Sequence, residues 1–382
     1  MMKLLIKNAL IHDSINREPY AGDILVEDGK IRQIASAIDC FDAEIFDAQG
    51  MNAYAGFVDA HSHLGLAGYG IGYEGMDYNE MNDIVTPHLR GIDGFKPMQP
   101  SLEHAAKAGV TTVCVGPGSA NVLGGTFFAV KTVGRRVDDM IVKDPIAMKC
   151  AFGENPKRCY RDKCDTSRMT TAAKLREMLF KAREYERKIA AAGDDESKLP
   201  PFDMKLEALR PVIRGELPLK AHAHATEDIF TAIRIAREFG CRLTLEHVTE
   251  GHLIVEELAE AGYPCAVGPS LGDAVKWELR NMSFTTPGIL ANAGIKVSII
   301  TDADVIPEEY LPLCAGLAVK SGMDPFDALQ AITINPAMHA GVEDRVGSLE
   351  AGKDADIVIT AGNPFEVSSK PYAVFVNGRN IL

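Results

Sequence analysis

No apolar run in the sequence approaches the roughly 18 residues that a membrane-spanning helix requires. The opening stretch, "MMKLLIKNALIHDS", has neither a sustained apolar region nor a small-residue cleavage site, so it does not read as a secretory leader. The eight cysteines contain no CxxC pair; the two nearest, Cys159 and Cys164 in "CYRDKC", read like the rest as free thiols of a reducing compartment. Basic charge is outnumbered, 40 Lys and Arg against 53 Asp and Glu, and the net charge of −13 comes with no basic stripe to attract a phosphate backbone. Internal repeats and low-complexity tracts are also missing. These absences leave the expectation of a cytoplasmic protein that meets small molecules, with neither nucleic acid nor membrane as a partner.

The 382 residues, 46% hydrophobic and 24% charged, suit one large domain with a smaller one beside it. The first 50 residues alternate apolar and polar positions between turns ("KLLIKNALIHD", "GDILVEDGKIRQIA"), and the last 35 do the same ("KDADIVITAGN", "YAVFVNGRNIL"). Neither end can form a core alone, so residues 1–55 and 345–382 are expected to combine into a small β-sandwich domain. Residues 56–344 instead show short buried strands, from "AGFVDAHSH" to "KVSIITDAD", with helical patterns between several of them that end in glycine. Eight such strands predict an α/β fold of the TIM type, a (β/α)8 barrel. A helical insertion is expected over about 155–216, either as an outer helix or as a lid.

Of ten histidines, five fall at the C-terminal ends of three predicted strands, where barrel active sites form. In "GFVDAHSHLG", His61 and His63 are two apart on a strand, with Cα atoms about 6.5 Å apart on one side, and can converge on one ion. "KAHAHATED" repeats the geometry with His222 and His224; His222 comes first and lies deeper, which favours it as ligand and His224 as a substrate contact. His247 follows an apolar strand in "LTLEHVTEGH", whereas His252 falls at a helix start on the rim. Asp302 in "VSIITDAD" is an acid after a buried strand, costly unless a cation faces it.

These strings, together with the tail "AITINPAMHAGVEDRVGSLEAGKDADIVIT" and its Gly347, Gly352, Lys353, Ala355 and Asp356, resemble the amidohydrolase superfamily, in its imidazolonepropionase-like and prolidase-like branch, over essentially the whole chain. The resemblance implies a metal-dependent hydrolase of carbon–nitrogen bonds, commonly a homo-oligomer. It implies that His61, His63, His222, His247 and Asp302 hold one or two divalent ions, zinc first and manganese or iron next. Asp302, with His247 and His224, would be catalytic, Asp302 moving the proton as a metal-activated hydroxide attacks a carbonyl. Zinc chemistry agrees, since imidazole and carboxylate ligands leave a position for a water whose pKa falls to about 7.

Strand four offers two further ligands, Lys149 as a carboxylated bridge or Glu154 at the strand end, with Glu154 slightly preferred. Tyr69, Tyr73 and Glu74 in the glycine-rich "LGLAGYGIGYEGMDYNE" are candidate substrate contacts. Arg158, beside Lys157 and Arg161, is a candidate partner for a substrate carboxylate. The expected reaction is hydrolysis of a cyclic amide, an N-acyl amino acid or an Xaa-Pro-like dipeptide. Deamination of a heterocycle is the alternative, through Glu227 in an HxxE pattern with His224; an inactive structural relative is the third reading.

Overall fold

The period-two alternation at both chain ends is realised as strands that share a core. In the computed structural model, which describes residues 3–70, 72–163 and 166–382, Leu4, Ile6, Ile11, Ile24 and Val26 pack with Ile357, Ile359 and Phe375 in one buried cluster; Cys164 lies outside the described residues. The strand Ile357–Thr360 runs antiparallel to Asn52–Ala55 and joins the two ends. Eight strands from both segments form one sheet. Its edge strand Lys30–Ala35 is tied back to the tail, since Ile31 N–H donates to the Lys353 carbonyl and Ala355 N–H to that of Gly29. The small β domain is therefore a single curled sheet closed on its own core.

The second sheet holds the eight expected barrel strands in sequence order: Phe57–Ser62, Val110–Val115, Leu123–Lys131, Ile141–Ala151, Leu219–Ala223, Leu243–His247, Cys265–Val267 and Val297–Ile299. One strand departs from the parallel order expected of it. The third is antiparallel to both neighbours. The connections 116–122 and 132–140 hold no α-helix and are shorter than the dozen or so residues that a parallel crossover needs.

Later crossovers are helical as expected. Thr226–Phe239 and Val255–Ala261 both end at glycines in the left-handed conformation, Gly240 and Gly262. In the 155–216 stretch, Ser167 and Thr170 form a capping box that starts the 25-residue helix Arg168–Ala192. Its Leu175, Leu179 and Ala182 join the core cluster of Leu209 and Ile229, and Arg168 and Arg176 pair with Asp228 and Glu238 at 3.0 and 2.7 Å. It packs along helix Thr226–Phe239.

The first barrel strand meets the stretch after the eighth through a side chain and a backbone bond. The Asp59 carboxylate accepts the Thr301 N–H and hydroxyl, both at 2.8 Å, and His63 N–H donates to the Ala303 carbonyl at 2.7 Å. Beside this seam Glu308 is fully buried and accepts the Ser62 hydroxyl at 2.7 Å. Burial and the neighbouring Asp59 push the Glu308 carboxyl well above its usual range, and burial lifts Asp59 to about 6. The two acids share a proton. A carboxyl with a raised native pKa holds a proton that the unfolded chain releases, so its contribution fades as pH rises from the ordinary glutamate range through the native value. Glu308→Gln is therefore expected to gain stability relative to the unsubstituted protein between about pH 5 and about pH 8. Urea midpoints at the two pH values check this; an identical difference at both would refute it.

The tail motif fastens the two sheets together. The Asp356 carboxylate accepts the Thr111 hydroxyl at 3.1 Å and the Asn377 N–H at 2.9 Å and pairs with Lys131, whose ammonium also lies 3.0 Å from Asp354. Arg345 and Lys30 pair with Asp354 from other sides. At the crossing point Gly56 donates its N–H to the Asp356 carbonyl. A Cβ there would stand 2.2 Å from the Thr111 hydroxyl oxygen, so the position has room only for glycine.

Candidate active site

His61, His63, His222, His224 and His247 are all buried, and each is anchored through Nδ1. The partners are Glu246 for His61, the Gly116 carbonyl for His63, Ser119 for His222, Thr249 for His224 and the Gly268 carbonyl for His247, at 2.7 to 2.8 Å. A carbonyl or carboxylate only accepts, so His61, His63 and His247 carry their proton on Nδ1 and turn an Nε2 lone pair inward. The Nε2 atoms of His222, His224 and His247 are buried without a hydrogen-bond partner among the described residues, and the three rings bring one nitrogen each within 4.8 Å of the others. A second group joins His61, His247 and Asp302 within the same limit, and His63 Nε2 stands 3.3 Å from Asp302 Oδ1, itself unpartnered.

Electrostatics sharpen the arrangement. Burial drives the pKa of His61, His222 and His224 well below the usual histidine range and that of His247 to about 4, so these rings are neutral near pH 7. Burial opposes ionisation of Asp302, and with the neighbouring rings neutral the charge that favours its carboxylate is that of Lys149. Lone pairs and a carboxylate thus converge in a buried space, a donor set that fits a divalent cation. The backbone is bent to achieve this: His247, Val248 and Asp302 have φ of 73°, 45° and 52°, a region unfavourable for such side chains, above all for β-branched valine.

Lys149 completes the inner wall. It is fully buried, with Nζ 3.0 Å from His61 Nε2 and 5.3 Å from the centre of the Phe127 ring, and burial draws its pKa down to about 8. Beneath it Glu246 receives His61, Thr244, His339 and Lys220 at 2.7 to 2.8 Å. Burial alone would raise the Glu246 pKa, but Lys220 and His339 hold it well below the usual range. Such outer partners fix the orientation of the imidazoles they touch.

The sequence signature of the amidohydrolase family matches residues 52–381, covering the barrel and the returning half of the small sheet. The chain belongs to the amidohydrolase family. A crystal structure of an amidohydrolase from Thermotoga maritima MSB8 superposes with a TM-score of 0.96 and 41% identity over 99% of both chains. An amidohydrolase of Hapsidospora irregularis is 29% identical over 94% of this chain, which spans only 40% of that protein's length. An imidazolonepropionase of Brevibacillus brevis is 26% identical over 88% of this chain and 83% of its own.

Not every expected residue of this amidohydrolase reaches the histidines. Glu154 is turned aside: its carboxylate accepts the Glu278 N–H at 3.2 Å while its own N–H donates to Glu278 Oε2 at 2.9 Å. It starts the helix Glu154–Cys159, beyond the pleat that aims Lys149 inward. Tyr69 rests against His104, ring centres 5.5 Å apart, and Tyr73 is 88% exposed because the loop turns it outward. The aromatic ring that this loop lays on the site is Tyr78, stacked on His63 at 5.1 Å. Arg158, on the solvent face of its short helix, and Glu74 are exposed. Glu227 is exposed beside Arg168, so the HxxE pattern points away from the imidazoles. His252 bonds Thr286 at 2.9 Å.

Glu278 was not among the expected residues. Fully buried on the connection after the seventh strand, it places Oε1 3.8 Å from the Nε2 atoms of both His222 and His224. No periodicity in "SLGDAVKWELRNMSF" marks it. Glu246 and Lys220 did leave a signal, opposite charges inside two neighbouring apolar strands.

Proposed function

We propose that this amidohydrolase cleaves an amide C–N bond in a small molecule, a cyclic amide, an N-acyl amino acid or an Xaa-Pro-like dipeptide, with one or two divalent ions, zinc foremost, held by His61, His63, His222, His247 and Asp302. The observation that carries the reading is the convergence of unpartnered imidazole nitrogens and the Asp302 carboxylate in a buried space. Family membership supports the same class of reaction. A bound divalent ion would supply a polarised carbonyl and a water of lowered pKa. Asp302 Oδ1, ionised at neutral pH, accepts the water's proton and passes it to the departing nitrogen. Lys149, whose lowered pKa leaves a share of neutral amine able to take up carbon dioxide, would add a carbamate oxygen donor to such a site. Tyr78 walls the space over His63, and the Nδ1 anchors keep the rings from turning.

Hydrolysis assays on those three substrate classes, with and without a chelator, test the proposal. Activity on at least one class is expected, lost on chelation and restored by zinc, manganese or iron. Ammonia release from heterocycles, with all three amide classes inert, would replace it by the deaminase reading. A protein fully active after exhaustive metal removal would end it.

A further inference from the structure

Glu278 is built into its place with more care than a loop acid needs. It sits on the turn Trp277–Leu279, where the indole is 70% exposed and the carboxylate is not exposed at all, the reverse of what hydrophobicity dictates. Its Oε2 is fixed by the Glu154 N–H and its own N–H by the Glu154 carboxylate. Gly153, at φ 77°, leaves the gap that the carboxylate fills, since a Cβ there would stand 2.4 Å from Oε2. The other oxygen, Oε1, faces His222 and His224 at 3.8 Å and is ion-paired with Lys276 Nζ at 2.8 Å.

Three imidazoles with unpartnered inward nitrogens and one carboxylate can make a full set of four ligands for a divalent ion of the zinc type, with His222 and His224 donating through Nδ1 to the Ser119 and Thr249 hydroxyls when they bind it. We infer that His222, His224, His247 and Glu278 form a cation site sufficient in itself, one that keeps its ion without a bridging group on Lys149. The inference rests on the proposal that the cluster binds metal. It assigns His224 as a ligand and gives the seventh connection a function in ion retention. Lys276 stays beside Oε1 as an outer partner that balances the charge of the carboxylate.

Cobalt titration of the chelator-stripped full-length protein, followed by visible absorption and by metal analysis after gel filtration, tests this. Loss of an outer-shell partner weakens metal binding by about 10- to 100-fold, so Glu278→Ala is expected to weaken one cobalt site by at least about 100-fold, with loss of its absorption band. Lys149→Met is expected to retain that site. Glu278→Gln keeps the shape and the acceptor for Glu154; should the alanine variant fail to fold, a site weakened at least about tenfold in the glutamine variant supports the inference. Cobalt affinity and spectrum unchanged in Glu278→Gln, or loss of all cobalt in Lys149→Met, overturn it. If the unsubstituted protein takes up no cobalt, the proposed metal-dependent function fails first; if it binds cobalt and the Glu278 variants match it, only the present inference falls.

Discussion

Asp302→Asn is expected to lower kcat by about 10²- to 10⁴-fold, the range that loss of a positioned proton-transfer group costs, while the fold persists. The asparagine keeps the size of the side chain but cannot accept the water's proton, and it would remove the charge that faces the cation proposed beside His61 and His63. An amide does not become a proton acceptor at any accessible pH, so no titration to alkaline pH should restore the variant. Steady-state kinetics on a substrate found by the amide screen, with circular dichroism to verify the fold, supply the measurement. A variant within about tenfold of the original rate would remove Asp302 from proton transfer.

Lys131→Met is expected to cost about 3–5 kcal/mol of stability, the usual penalty for breaking a buried ion pair from one side. Lys131, Asp354 and Asp356 are each at least 96% buried at the side chain. Asp354 retains Lys30 and Arg345, but Asp356 has no other cation among the described residues and keeps only Thr111 and the Asn377 N–H. Adding Asp356→Asn to Lys131→Met should recover much of the loss, since no buried charge is then stranded. Urea denaturation of the single and double variants checks both statements; a single-variant loss below about 1 kcal/mol would show that the junction tolerates an unpaired acid.

The parts of the site carried by regular elements were legible in the sequence, because a strand fixes which side chains share a face. His61, His63, His222, His247 and Asp302 were recognisable as polar residues closing apolar strands, and the structure brings them together. Choosing between Lys149 and Glu154 needed the strand's end point. Lys149 is within the pleat, whereas Glu154 has passed into a helix start. Tyr78 and Glu278 lie on irregular connections, where position depends on distant anchors such as Glu154 and sequence spacing says little. The antiparallel third strand has the same kind of explanation: its residues read as a buried strand in either direction, and only the shortness of its connections reveals the reversal. The two-part small domain was visible at both chain ends, but its closure through Ile31 and Lys353 depends on a backbone contact that no side-chain pattern encodes.

The junction between the sheets also sets an order of assembly. Lys131 must await Asp356, 225 positions later, and Lys30 must await Asp354, 324 positions later. On the ribosome the N-terminal strands and the entire barrel emerge before the residues that clasp them, so the clasp is among the last native contacts made. Until then the strand Asn52–Ala55 is paired on one side only, with Leu10–His12, since its second neighbour arrives with Ile357–Thr360. A nascent chain stalled ahead of the tail holds an open sheet edge and an uncompensated lysine, the kind of surface on which chaperones act.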